Sequence, residues 1–261
     1  MIESFFQSLE REGVAYLLIS GQATVLYGAA SFSEDIDLWI NPATANANAL
    51  LASLHAVDAT YYKLTPPLEE PYFLRGHGFH FYIPGTPEWY LDIMGRPPRV
   101  PAFDDAMAAA TVMSTDWGDI PTLGIKHLAA LKTTQRLGDY PIISRLVLCY
   151  MEGTRHPSEE DYRWAIENLH TIDELEEVLR EHPAALAACE TTQLHAFASR
   201  VKRGEPILDA LRMDVERWLS ERILTLRQAD RVYWRGIIDE LRELRRVGKL
   251  MPLGTPVCVT S

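Results

Sequence analysis

The chain has 261 residues, a formal net charge of −11, and a composition that is 47% hydrophobic and 23% charged. That suits a globular protein with core enough for one large or two medium domains, and its acidity argues against a general nucleic-acid binder. No apolar run approaches the ~20 residues that cross a bilayer. Met1-Ile2-Glu3-Ser4-Phe5-Phe6 lacks the basic start of a signal peptide, and Cys149, Cys189 and Cys258 are odd in number and far apart. A cytoplasmic location is therefore expected, without a disulfide framework or a zinc site.

In chain order, Glu3 to Glu12 reads as a helix with Phe5, Phe6 and Leu9 on one face. Ala15 to Ser20 is an apolar run that reads as a buried strand ending in a small-residue turn. Gly21 to Gly28 reads as a short helix whose first turn carries no bulky or acidic side chain, so its backbone N–H groups suit a phosphate. Glu34 to Ile40 is a strand, and the alanine-rich stretch from Ala43 to His55 a helix. Tyr61–Leu64, Phe79–Ile83 and Trp89–Met94 read as strands, the last two a hairpin around Pro84-Gly85-Thr86-Pro87. Pro66 to His80, with Arg75, His77 and His80, reads as an irregular surface loop; the alternative is a lip over a nucleotide, Arg75 meeting phosphate.

Thr111 to Ser114 can add an edge strand, and from about Thr122 onward the pattern is helical. Thr171 with Glu174 spells a capping box, Ser158 with Asp161 a weaker one. Leu211, Val215, Leu219, Ile223 and Leu226 form one apolar stripe and Ile237, Ile238, Leu241 and Leu244 another; both read as core. Asp139 is either a cap for the helix begun by Pro141 or a link to Lys132 and Arg136, and the cap is favoured. Arg242, Arg245, Arg246 and Lys249 read as a solvated helix face, the one place where an RNA acceptor could grip. The boundary between an α/β half and a helical half falls near residue 150, with Met151 to Pro157 as the hinge.

The chemistry concentrates in Glu34-Asp35-Ile36-Asp37-Leu38-Trp39-Ile40. On a strand Asp35 and Asp37 share one face while Ile36 and Leu38 point to the other. Two carboxylates so close repel unless a cation neutralises them, and Mg²⁺ is commonly held by one or two carboxylates plus substrate phosphates. Asp92 interrupts the apolar strand Trp89-Tyr90-Leu91-Asp92-Ile93-Met94, where an unpaired acid is costly to bury, so it is expected to emerge beside the other two.

Strand, small-residue turn, helix, Asp-x-Asp strand and later single Asp together resemble the DNA polymerase β nucleotidyltransferase superfamily. The resemblance is to its small bacterial and archaeal branch, which includes abortive-infection (AbiEii-type) toxins and minimal nucleotidyltransferases. Ile120 to Lys132, with its Leu-Ala-Ala-Leu-Lys helix, and Arg136-Leu137-Gly138-Asp139 fit that branch. The likeness covers roughly residues 1–150. Three positions depart from it: Ser20 stands in place of the first glycine of the turn, Ser31 in place of a basic residue, and Gly138 in place of a lysine.

The resemblance implies an α+β fold, a nucleotidyltransferase-type mixed sheet flanked by helices over 1–150, followed by an α-helical domain over 151–261. It implies transfer of an NMP from an NTP, such as ATP, to an acceptor hydroxyl, with Asp35, Asp37 and Asp92 as catalytic residues and ligands of Mg²⁺ or Mn²⁺. Ser20, Gly21, Gln22, Ser33 and Lys132 would meet the nucleotide. The acceptor could be tRNA, a partner protein or an antibiotic, and resemblance favours a toxin-like activity. The alternative is a nucleotidyltransferase fold retained as an inactive interaction or antitoxin protein.

Overall fold

In the computed structural model, residues 2–85 and 87–258 are described; Thr86, in the turn of the expected hairpin, lies outside them. Two compact units divide the chain: the first comprises Met1–Leu26, Ser31–Leu131 and Tyr233–Ser261, the second Tyr27–Ala30 and Lys132–Val232. The segment Met151 to Pro157 thus lies within the second unit.

The first unit runs α1 (Ile2–Arg11), β1 (Tyr16–Ile19), α2 (Ser20–Leu26), β2 (Asp35–Ile40), α3 (Thr44–His55), β3 (Thr60–Tyr61), α4 (Glu70–Leu74), β4 (Gly78–Ile83), β5 (Trp89–Met94), α5 (Phe103–Ala108), β6 (Thr111–Thr115), β7 (Gly118–Thr122) and α6 (Ile125–Leu131). Among the described residues the strands form one seven-stranded sheet in the order β3-β4-β5-β2-β1-β7-β6. It is mixed: β2 runs antiparallel to β1 and parallel to β5, while β7 runs parallel to β1. This is the α+β class expected from the sequence. Alternation holds where it matters, since Ile36, Leu38, Leu91 and Ile93 are buried while Asp35, Asp37 and Asp92 stay partly exposed. Phe5, Leu9, Leu50 and Leu54 from the two flanking helices are fully buried, as their helical spacing requires.

Three local expectations change. The third strand ends at Tyr61 rather than Leu64, because Lys63 takes a left-handed φ of 57° that no strand continues through. Its outer edge is then covered by the chain's end, with Tyr61 N–H donating to Thr255 O at 3.0 Å and Val257 N–H to Ala59 O at 2.9 Å. The segment 118–122, where no strand is expected, is β7; Pro121 and its polar neighbours hide it. It pairs with β6, which is the edge strand expected at 111–114. The segment 66–80 is not irregular throughout, since Glu70-Pro71 opens a short helix, proline serving at its start where no N–H is needed.

The second unit is helical: α7 (Asp139–Gly153), α8 (Glu159–Asn168), α9 (Ile172–Glu181), a 3₁₀ turn at Pro183–Ala188, α10 (Thr192–Arg203) and α11 (Asp209–Arg246), whose residues from Tyr233 onward count with the first unit. Val147, Met151, Ile166, Leu175, Val178, Phe197, Val215 and Leu219 form its core. Both apolar stripes lie on the one helix α11, though Ile238 is exposed. The capping order is reversed. Ser158 makes the reciprocal box with Asp161, whereas the Thr171 hydroxyl goes to the Glu174 carboxylate and leaves the helix N–H groups uncapped by its side chain. Among the described residues no helix is long and apolar enough to cross a membrane.

Candidate active site

The sheet brings the three aspartates to adjacent strands. In the parallel pairing of β2 with β5, Asp37 lies directly opposite Asp92, and Asp35 opposite Tyr90. Neighbouring strands lie about 4.8 Å apart, so residues in register on one face are immediate neighbours. Ile19, the last residue of β1, pairs with Asp37, and the chain turns there into α2, which sets Ser20 and Gly21 beside the acidic end of β2.

That turn is tightly built. Ser20 holds φ 57°, a conformation natural to glycine, which is why a glycine suits this place. A Cβ on Gly21 would come within 2.1 Å of Ser33 Oγ. The Gln22 amide donates to the Ser33 carbonyl at 2.9 Å, and the Ser33 hydroxyl donates to the Asp35 carbonyl at 3.2 Å. Four residues expected at a nucleotide site, Ser20, Gly21, Gln22 and Ser33, are thus brought together with Asp35, two of them engaged through side-chain hydrogen bonds. Lys132 belongs to the second unit, where its ammonium lies 3.4 Å from Asp139 Oδ1, the two side chains only 10% and 11% exposed. Asp139 also receives the Thr134 hydroxyl and lies 3.8 Å from Arg136, while Gly138 occupies the N-cap place. The link, not the cap, is what it makes: a buried ammonium nearby needs its charge more than a helix end does.

Sequence reasoning leaves His80 outside the acidic cluster, and the structure sets it against one of the acids. β4 pairs antiparallel with β5 so that His80 lies opposite Asp92, and His80 Nδ1 is 2.7 Å from Asp92 Oδ1, both side chains 24% exposed. Lys63 Nζ stands 3.9 Å from Asp92 Oδ2. The signal was present: once Ile83 and Trp89 close a tight hairpin, counting back pairs 80 with 92. His77 and Arg75, weighed for the nucleotide, instead meet Glu240 at 2.8 Å each, and His77 is fully buried. The exposed residues Arg242 and Arg246 pair along their own helix with Asp239 and Glu243, as a solvated face does.

Carboxylate oxygens in this number suit a hard cation such as Mg²⁺, and the register of Asp37 with Asp92 fits the group. Yet among the described residues no three His, Cys, Asp or Glu side chains converge as a metal-holding cluster. In the strand order β4-β5-β2 the Asp92 carboxylate is engaged by His80 of β4, while Asp37 lies on the neighbouring strand on its other side. A cavity of about 720 Å³ elsewhere in this unit, lined by Phe6, Tyr16 and Trp117 among others, contains none of the three acids.

No family model matches the chain, and no curated protein does. Among solved structures it is similar to an antigenic nucleotidyltransferase-like protein from Paracoccidioides brasiliensis, with 16% identity, a TM-score of 0.43, and coverage of 72% of this chain and 89% of that one. A likeness this distant assigns no activity to any residue.

Proposed function

We propose that the chain is a metal-dependent nucleotidyltransferase that moves an NMP from an NTP to an acceptor hydroxyl. The observation that carries the reading is the register of Asp37 against Asp92, with Asp35 on the same face and the Ser20-Gly21 turn beside them. Structural charges are seldom placed this way, because like charges side by side on a sheet destabilise it.

Asp35 and Asp37 would hold a Mg²⁺ or Mn²⁺ ion, with Asp92 as the third acid. When bound, the divalent cation neutralises phosphate oxygens and stabilises the entering and leaving oxygens of an in-line displacement. The turn at Ser20-Gly21 would face the β and γ phosphates. Asp92 would orient the acceptor hydroxyl, whose oxygen forms the new bond to the α-phosphorus as the bond to pyrophosphate breaks. Catalysis of this kind is mainly placement and charge compensation, which a few acids on rigid strands can supply.

The test is label transfer from each α-³²P-NTP with Mg²⁺ or Mn²⁺, offered total tRNA, the chain itself and a cationic antibiotic as acceptors. The expected result is label on one acceptor by the wild type, and loss of roughly a thousandfold or more in Asp37→Asn, whose melting temperature is unchanged. An Asp37→Asn variant as active as the wild type overturns the reading, as does a wild type that labels nothing and binds none of the four NTPs by calorimetry. The tRNA arm tests the toxin-like form of the activity.

A further inference from the structure

Asp92 stands between two claims. On one side of its strand lies Asp37, in register on β2, and on the other His80, in register on β4. The 2.7 Å contact from His80 Nδ1 to Asp92 Oδ1 settles the carboxylate on the β4 side, with Lys63 3.9 Å from the other oxygen. A carboxylate turned toward β4 is turned away from the acid on β2, which lowers the repulsion between like charges. The ring lies over Gly78, where a Cβ would stand 3.3 Å from Cε1 and Nε2, so the glycine leaves it room.

We infer that His80 is a positioning residue for Asp92: it holds the carboxylate off Asp37, and a cation joining the three acids must compete with it. The inference rests on the proposed metal site but concerns the chain's own side chains. It makes the site's cation affinity a property of β4 as well as of the acid-bearing strands, because outer hydrogen bonds tune metal ligands.

Manganese alone serves as the probe, free Mn²⁺ being followed by electron paramagnetic resonance at pH 8 with the full chain. His80→Ala is expected to bind Mn²⁺ about tenfold tighter than wild type, the size of one hydrogen bond to a charged group. His80→Asn, whose amide can donate from near the place of Nδ1, is expected to return affinity to within about twofold of wild type. On an Asp92→Asn background His80→Ala should change nothing, since the two act as one unit. An alanine variant that binds no tighter than wild type overturns the inference, and so does an asparagine variant that behaves like alanine, because packing rather than the hydrogen bond would then be at work. A wild type that holds no Mn²⁺, or an Asp37→Asn variant that binds it like wild type, overturns the three-acid metal site and this role with it, whereas an unchanged His80→Ala beside a weakened Asp37→Asn overturns this role alone.

Discussion

Asp37 and Asp139 put the same carboxylate into two different settings. Asp37 sits partly exposed on a sheet face, flanked in register by a second acid. Asp139 is buried in the helical unit, where Lys132, Arg136 and the Thr134 hydroxyl converge on it. The first sets like charges side by side at the surface of a sheet; the second buries an acid among an ammonium, a guanidinium and a hydroxyl. Neutralising each acid should therefore have opposite consequences. Asp37→Asn should lose transfer and keep the fold.

Asp139→Ala should keep the sheet's chemistry and lose stability, by about 3–5 kcal/mol, because it strands the buried Lys132 ammonium. Urea midpoints read this loss, and equal losses in the two variants would erase the distinction between the settings.

A buried histidine sharpens the contrast by pH. His170 is nearly fully buried in the second unit, and burial, then the neighbouring Arg222 guanidinium, bring its pKa down from 6.5 to about 3. The unfolded chain takes a proton below pH 6.5 that the folded chain refuses until about pH 3. Stability from this residue is thus complete above the unfolded value and falls as pH drops toward the folded one, at about 1.4 kcal/mol per unit. Between pH 6.5 and 5, wild type should lose about 2 kcal/mol more than His170→Gln in urea unfolding.

An effect of similar size concerns the turn. Gly21→Ala places a methyl 2.1 Å from Ser33 Oγ and 2.9 Å from Ser33 Cβ, which should cost about 1–3 kcal/mol by overpacking. Adding Ser33→Gly should restore the midpoint, since it removes both obstructing atoms. A single variant as stable as wild type would mean that the turn has room to spare.

Much of the site is legible in the sequence for a simple reason: strand period is a local property. Asp35 and Asp37 have to share a face, Ile36 and Leu38 have to be buried, and a lone acid at Asp92 has to escape its apolar strand. Capping is less legible, because Thr171-Glu174 and Ser158-Asp161 spell the same motif and only the backbone at each start decides which side chain closes it. Asp139 is misread for the same reason, since a helix cap is a local guess and a buried lysine is a tertiary demand.

Periodicity within a few consecutive residues carries the acidic strand and the helical character of the C-terminal half, and the small side chains of Ser20-Gly21 mark the turn, while the α+β class follows from the family resemblance. Which strand lies beside which is settled in three dimensions: Asp37 against Asp92 comes from a parallel pairing across more than fifty residues of chain. His80 beside Asp92 follows from the local hairpin of β4 and β5, whereas the return of residues 254–257 to cover β3 is long-range. Pairings of that kind depend on which apolar faces are buried together, and no stretch of neighbouring residues encodes them on its own.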